Sequence, residues 1–262
     1  MAESEQRYLP DFLLGNHRAW TFNPAAFYQW LEKRVIEGGE LRSDLLLELA
    51  KSVVKDASPT KWDALDWVRY DEELLENDEG LSNWWYMFAL TPHLRRTPSL
   101  ADRLPRGQTV LGYVLQLAGW SDDDLRLLAL GRPMQLMAAT YGSAPIVAEF
   151  GQGTVFSGGG WLELSEARRL LSQLEEAQDH FFSPSQETLE RFDARDMAKE
   201  RVSRLAESHR ISEQEAEKLF PSYVAYFLQS APEKLTNVYR DAQEMLRTAL
   251  ERDEALFLVI EY

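Results

Sequence analysis

Apolar residues recur at intervals of three and four through most of the chain, which is the pattern of helices with one buried face. Asn23-Pro24 has the composition of an N-cap followed by a first helical residue, and the helix that it predicts stops before Gly38-Gly39. Ser121 precedes three aspartates and predicts a short helix that ends at Gly131. Further helix starts are predicted at Ser43, Ser58, Ser165, Ser183, Ser212 and Ser230. The chain is therefore expected to be mostly helical.

Strands are expected at only a few places. The unbroken apolar run at residues 256–260 predicts a buried strand, and because a terminal strand must pair with an upstream segment, we expect it to be central. Residues 146–150 and 155–156 are interpreted as short strands or extended pieces among glycines. The aromatic run at 84–90 fits a buried strand and a buried helix equally. The predicted fold class is α+β, mostly helical, with a small sheet that includes the C-terminal strand.

Tryptophan is distributed unevenly, since seven of the eight precede residue 121. We interpret residues 1–105 as a Trp-rich helical region that packs on the rest, and residues 106–262 as an α+β domain, the two forming one compact unit. A length of 262 residues is enough for one large domain or two small ones with a sizeable core.

The net charge of −15 indicates which kinds of partner the protein can bind. It argues against binding to nucleic acid, where basic groups supply most of the affinity, and it suits a basic protein partner. The absence of cysteine excludes disulfides, cysteine nucleophiles and thiolate metal sites. The N-terminus lacks the pattern of a signal peptide and the apolar runs are too short to cross a membrane, so we expect a cytoplasmic protein without membrane contact.

Residues 63–79 form an acidic run with a net charge of −7. Such a run is commonly a solvated face, and it can also be a docking surface in which neighbouring tryptophans supply apolar anchors. Four arginines, Arg95, Arg96, Arg103 and Arg106, can either neutralise this run within the chain or bind an anion. The candidate partner-binding residues are Asp66, Trp67, Asp71, Glu72, Glu73, Glu76, Asp78, Glu79, Trp84 and Trp85.

The glycine-rich segment at residues 141–160 is the candidate small-ligand site. It lacks the Gly-Lys-Ser/Thr ending of a phosphate loop, and Ser157 is not part of the Gly-x-Ser-x-Gly turn of hydrolases. A pocket there would be lined by Tyr141, Ser143 and Ser157. Glycine also serves tight turns and close packing, which is its commoner use.

No catalytic residue, metal site or cofactor is predicted. The four histidines, His17, His93, His180 and His209, are far apart and none has a second metal ligand at a typical spacing. Acidic pairs are too frequent in this chain for any one pair to be assigned a catalytic role.

Several loose motifs follow one another in a fixed order: Leu128-Ala129-Leu130-Gly131, Tyr141-Gly142-Ser143-Ala144-Pro145, Trp161-Leu162-Glu163-Leu164-Ser165-Glu166, Phe192-Asp193, Met197, Phe220-Pro221 and Tyr239-Arg240-Asp241-Ala242. Through the order of these motifs, residues 108–262 resemble the YfbM-like family of uncharacterised bacterial proteins. Residues 146–160 look like an insertion relative to the family, and residues 1–100 match it weakly. The resemblance implies an α+β fold, and it brings no established activity and no catalytic residues.

Three functions follow as hypotheses. The first is a non-catalytic acidic binding protein that masks a basic partner, in its most concrete form an immunity protein that inhibits a toxin. The second is an enzyme or small-ligand-binding protein with a pocket in residues 141–160. The third is a housekeeping scaffold or homodimer in which aromatic residues form the subunit contact.

Overall fold

A four-stranded antiparallel sheet lies at the centre of the fold. The computed structural model describes residues 16–56, 85–103, 107–152, 159–183, 206–207, 210, 212, 214–215 and 231–261. The sheet consists of β1 (Asn16–Phe22), β4 (Arg95–Arg96), β5 (Gly159–Leu162) and β6 (Ala255–Glu261), in the order β4-β1-β6-β5. A separate hairpin is formed by β2 (Ile36–Glu37) and β3 (Glu40–Leu41). The C-terminal strand is thus an inner strand, as the sequence predicted.

Ten α-helices and a short 3₁₀ helix at Thr91–His93 lie in the described ranges. The α-helices are α1 (Pro24–Val35), α2 (Ser43–Asp56), α3 (Trp85–Leu90), α4 (Gly107–Leu117), α5 (Asp122–Leu130), α6 (Met134–Tyr141), α7 (Ala144–Gln152), α8 (Leu164–Glu176), α9 (Asp179–Phe182) and α10 (Ala231–Arg252). The α+β class with a small sheet is therefore confirmed.

Helices cover both faces of the sheet. Side chains of β6 alternate between the two faces: Leu256 and Leu258 pack with α4, α5, α8 and α10, whereas Phe257 and Val259 pack with α1, α2, α3 and α6. Because both faces are buried over residues 255–260, β6 has to be apolar at each of these positions. This explains why its sequence is an unbroken apolar run rather than an alternating one.

Several predicted helix ends have the expected caps. The side chain of Asn23 accepts a hydrogen bond from the Ala26 N–H at 2.9 Å, and Ser121 accepts one from the Asp124 N–H at 3.1 Å. Gly131 ends α5 with a φ of 68°, which a side chain would disfavour. Ser212 and Glu215 make the reciprocal bonds of a capping box, as their spacing predicts.

The predicted strand at residues 146–150 is wrong, because these residues belong to helix α7. Pro145 lies in the first turn, where its missing N–H has no helical acceptor, and Ile146 is buried while Val147 and Ala148 are exposed. That burial has the period of a helix. The undecided run at 84–90 is likewise helical from Trp85 onward. The helix starts predicted at Ser58 and Ser230 and the extended piece at 155–156 lie outside the described residues, as do the residues that follow Ser183. Ser183 itself ends α9.

Strands from both sides of residue 105 meet in one sheet, since β1 pairs with β6 along seven residue pairs, Asn16↔Glu261 to Phe22↔Ala255. The division at that residue stays a prediction. Among the described helices, none combines the length and the apolar character needed to cross a membrane.

Candidate functional site

The predicted partner-binding residues fall almost entirely outside the described residues. Nine of the ten are in the undescribed range 57–84, and Trp85 is the first residue of α3. The next five residues of that helix, 86–90, are all buried. The acidic docking surface therefore stays a prediction.

The arginine patch can be placed in part. Arg95 pairs with Glu254 at 2.8 Å, just after α10, and Arg103 pairs with Asp241 and Glu244 on α10 itself. Arg106 lies outside the described residues. Two of the four candidate counter-charges for the acidic run are thus engaged by carboxylates of the C-terminal helix and the turn after it.

Glycines of the glycine-rich segment have packing roles where they are described. A side chain at Gly160 would collide with the backbone carbonyl oxygens of Leu130 and Arg132, because β5 lies directly against that turn. Arg132 and Trp161 exchange two backbone hydrogen bonds there, of 2.7 and 3.0 Å. Gly142 lies against Tyr28, whose Cε1 would be 3.2 Å from an added Cβ. Close packing accounts for these glycines without a bound phosphate.

The turn between α6 and α7 brings together the best-defined polar group of this segment, which we call the Tyr141 corner. It consists of Tyr141, Ser143 and the carboxylates of Glu32 and Glu163. The half-buried ring of Tyr141 stacks on Tyr28 at a centroid distance of 6.5 Å and meets Trp161 edge-on at 5.9 Å. Buried aromatic side chains therefore hold the ring in place from below and from one side.

The hydroxyl groups beneath the Tyr141 corner are paired with each other. The hydroxyl oxygens of Tyr28 and Tyr86 lie 3.0 Å apart, and both side chains are buried. Burial raises the pKa of both phenols, so the pair is neutral. The two tyrosines beneath the Tyr141 corner are therefore buried and uncharged.

The charge of the Tyr141 corner is negative. Glu32 Oε1 accepts a hydrogen bond of 2.6 Å from the Ser143 N–H, at the start of α7. This carboxylate therefore occupies the helix end at which a bound phosphate would be expected. Burial, and secondly the charge of Glu163, raise the pKa of Tyr141, which keeps its phenol protonated. The nearby Arg132 is paired with Glu166 at 2.6 Å.

Two buried polar atoms at the Tyr141 corner lack a partner within the described part of the chain. They are Oγ of Ser143 and Nε1 of Trp161. Trp161 is only 1% exposed, so its indole N–H is shielded from bulk water. Buried polar atoms without partners are uncommon in folded proteins.

The two helices that meet at the corner, α6 and α7, expose uncharged side chains. Residues 133–148 contain no charged side chain and no histidine, in a chain that is 27% charged. Of the three large apolar residues exposed in the described ranges, two lie here: Leu136 is 49% exposed and Val147 is 37% exposed. Ala139, Ala144 and Ala148 are exposed as well. We call this surface the α6–α7 face.

Packing explains two of the three described histidines, His17 and His93. His17 is buried in β1, where its Nδ1 accepts a hydrogen bond from the Leu100 N–H at 3.2 Å. His93 packs edge-on against Trp30 with ring centroids 4.5 Å apart. In the ranges that the structure describes, no three His, Asp or Glu side chains are grouped so as to hold a metal ion. His209 lies outside those ranges.

The sequence predicted Tyr141 and Ser143 at a site and missed Glu32 and Glu163. Glu163 has a local signal, because its spacing to Glu166 is that of a capping box, which the structure confirms. Glu32 has none, since it lies more than one hundred residues from Ser143 along the chain.

Comparison of the chain with protein-family models, with curated proteins and with solved structures gave no match. The resemblance to the YfbM-like family accordingly stays a prediction that rests on the motifs quoted above.

Proposed function

We propose that this protein is a non-catalytic cytoplasmic binding protein that covers a basic surface of another protein. An immunity protein that blocks the basic active-site cleft of a toxin is its most concrete form. The observation that carries the proposal is the acidic run at residues 63–79, with a net charge of −7 beside tryptophans. Dense carboxylates accelerate association with a basic surface, and aromatic side chains supply much of the affinity once contact is made.

The arginine pairings support this proposal. Arg95 and Arg103 were candidates to neutralise the acidic run within the chain, and both bind other carboxylates. These two arginines are therefore already engaged by carboxylates outside the run.

The alternative of a phosphorylated small ligand at residues 141–160 is less favoured by the geometry. The first N–H group at the start of α7 donates to Glu32, so a phosphate would have to displace a carboxylate. The described glycines of that segment are explained by packing.

The test is affinity capture from a lysate of the protein's native cells with three versions of the tagged protein. One is the wild type, and the second carries Asp71→Lys, Glu72→Lys and Glu73→Lys. The third is a control with the same change in net charge at exposed residues of the described fold, Glu176→Lys, Glu207→Lys and Glu251→Lys. We expect a stoichiometric basic protein with the wild type and the control, lost with the second version and at high salt.

The purified pair would then be measured by stopped-flow mixing. Charge reversal in the acidic run is expected to slow association by about tenfold or more at low salt, with a much smaller effect for the control. Equal capture by both variants, or the recovery of no partner at all, would refute the proposed function.

A further inference from the structure

We propose that the Tyr141 corner and the α6–α7 face form a second contact surface, which receives one basic side chain of the partner and the apolar residues around it. This inference deepens the proposed function and rests on it. The guanidinium or ammonium group would lie against Tyr141 between the carboxylates of Glu32 and Glu163.

Charge complementarity identifies the occupant. Glu32 and Glu163 are half-buried: Glu32 binds the Ser143 N–H two residues after Tyr141, and Glu163 lies near enough to Tyr141 for its charge to raise the pKa of the phenol. Arg132 is already paired with Glu166. A cation gains from both carboxylates and from the negative face of the ring. An anion is disfavoured, because the helix end that would bind it holds Glu32.

The geometry of the ring suits recognition of a single side chain. Tyr141 is held by the stacked Tyr28 and by Trp161, so little side-chain entropy is lost when a ligand binds. The Oγ of Ser143, buried at the same turn, has no hydrogen-bond partner in the described part of the chain. These features are those of a preformed anchor site at an interface.

The α6–α7 face supplies the apolar part of the surface. Leu136 and Val147 are exposed on adjoining helices, and no charged residue occurs in residues 133–148. Interface centres are depleted in charge and interface rims are polar. A second copy of this chain fits the surface less well, because each copy has a net charge of −15 and lacks an excess of basic groups.

The corner can be tested without knowing the partner. The probe is N-acetyl-arginine amide, titrated into the ¹⁵N-labelled full chain, with the neutral isostere N-acetyl-citrulline amide as its control. We expect saturable amide shifts at residues 141–144, with citrulline amide binding at least about tenfold more weakly. Amides of residues 63–79 report separately on the acidic run.

Two pairs of variants show which groups bind the probe. Glu32→Gln keeps an acceptor for the Ser143 N–H and removes the charge, whereas Glu40→Gln is the matched change at an exposed site in β3. Tyr141→Leu removes the aromatic face and Tyr141→Phe retains it. Binding should weaken several-fold in the first member of each pair alone. Equal shifts from both probes, or shifts at 141–144 that persist unchanged in Tyr141→Leu, would overturn the inference.

Binding of variants to the captured partner shows whether this inference or the proposed function is wrong. Tyr141→Leu, and separately Leu136→Ser with Val147→Ser, should each lower affinity for the partner by about tenfold or more. If charge reversal at residues 71–73 abolishes binding while these variants bind normally, the inference fails and the proposed function stands. If arginine amide binds at the corner while no partner depends on residues 71–73, the proposed function fails alone. A homodimer in sedimentation that Leu136→Glu dissociates would also overturn the inference, because the face would then be a contact between copies.

Discussion

The side chain of His17 and the backbone of Leu100 are joined across the edge of the sheet. Nδ1 of His17 accepts a hydrogen bond from the Leu100 N–H at 3.2 Å, and the imidazole is only 2% exposed. An imidazole that accepts at Nδ1 must be neutral, because protonation would turn that acceptor into a donor. The hydrogen bond therefore makes attachment of the segment at residues 97–103 to β1 dependent on the protonation state of His17.

We expect the free energy of unfolding to fall at low pH because of His17. Burial lowers the pKa of His17 to about 3, against opposing effects of the Ala129 backbone and Asp102. In the unfolded chain the pKa is about 6.5, so the unfolded state binds the additional proton between these values. The contribution of His17 to the free energy of unfolding is then fully present above about pH 6.5, and it is lost as the pH drops toward 3. The slope from this one group approaches about 1.4 kcal/mol per pH unit.

The measurement is the free energy of urea unfolding between about pH 5 and 7, a window in which most carboxylates of unfolded chains stay ionised. His17→Asn places an amide oxygen near the position of Nδ1 and does not titrate, so it should flatten the slope in this window. His180→Asn, at a half-buried site, serves as the control. A slope that His17→Asn leaves unchanged would show that another group is responsible.

Arg103 and Asp241 form the second attachment of the same segment. Asp241 is completely buried, and it accepts hydrogen bonds from both the backbone N–H and the guanidinium of Arg103. Burial raises the pKa of Asp241, whereas its contacts with Arg103 lower it. Removing the guanidinium leaves a buried carboxylate with less compensation, so Arg103→Ala should destabilise the protein by about 2–3 kcal/mol.

Arg247→Ala is the matched control, because Arg247 also pairs with a carboxylate, and the side chains of Arg247 and Glu175 are 50% and 46% exposed. We expect it to change the free energy of unfolding by less than about 1 kcal/mol. Asp241→Asn should restore part of the stability lost in Arg103→Ala, because it removes the buried charge. Additive effects of the two substitutions would contradict this account of the pair.

The central strand β6 was predictable from sequence and its neighbour β1 was not. β6 is apolar at successive positions, which indicates a strand covered on both faces. β1 is also buried, yet it contains polar residues such as His17 and Thr21. Thr21 Oγ1 accepts a hydrogen bond from Arg252 at 2.9 Å, a residue near the other end of the chain. Partners so remote are invisible to a local pattern, so the strand could not be recognised from its own residues.

The candidate site, too, could be predicted from the sequence only in part. Tyr141 and Ser143 belong to one glycine-rich segment and were found together. Their acidic neighbours come from α1 and from the turn before α8. Which carboxylates reach a given turn depends on how the helices pack, and in a chain with 43 acidic residues no pattern selects these two.

Ser121 caps a helix, whereas Ser165 merely lies near the start of one. Ser121 accepts a hydrogen bond from the Asp124 N–H, whereas Ser165 lies one residue inside α8, whose cap is Glu163. Ser121→Ala should therefore cost about 1 kcal/mol of unfolding free energy. Ser165→Ala should cost nothing or slightly stabilise the protein, since alanine has the higher helix propensity. Thermal unfolding of the two variants makes the comparison, and equal losses would show that Ser165 has a role the geometry does not explain.

A substitution at Gly160 tests whether the glycine-rich segment serves close packing or binds a small ligand. If its role is close packing, Gly160→Ala must displace β5 from the turn at residues 130–132, because an added Cβ would meet two backbone carbonyl oxygens. The expected loss is about 2 kcal/mol or more in the absence of any ligand. Gly38→Asn is the control, because Gly38 has a φ of 64° with open space around it, and asparagine tolerates that conformation. Its cost should stay below about 1 kcal/mol. A fully stable Gly160→Ala protein would show that packing does not require this glycine, and the segment would again be a candidate for binding a small ligand.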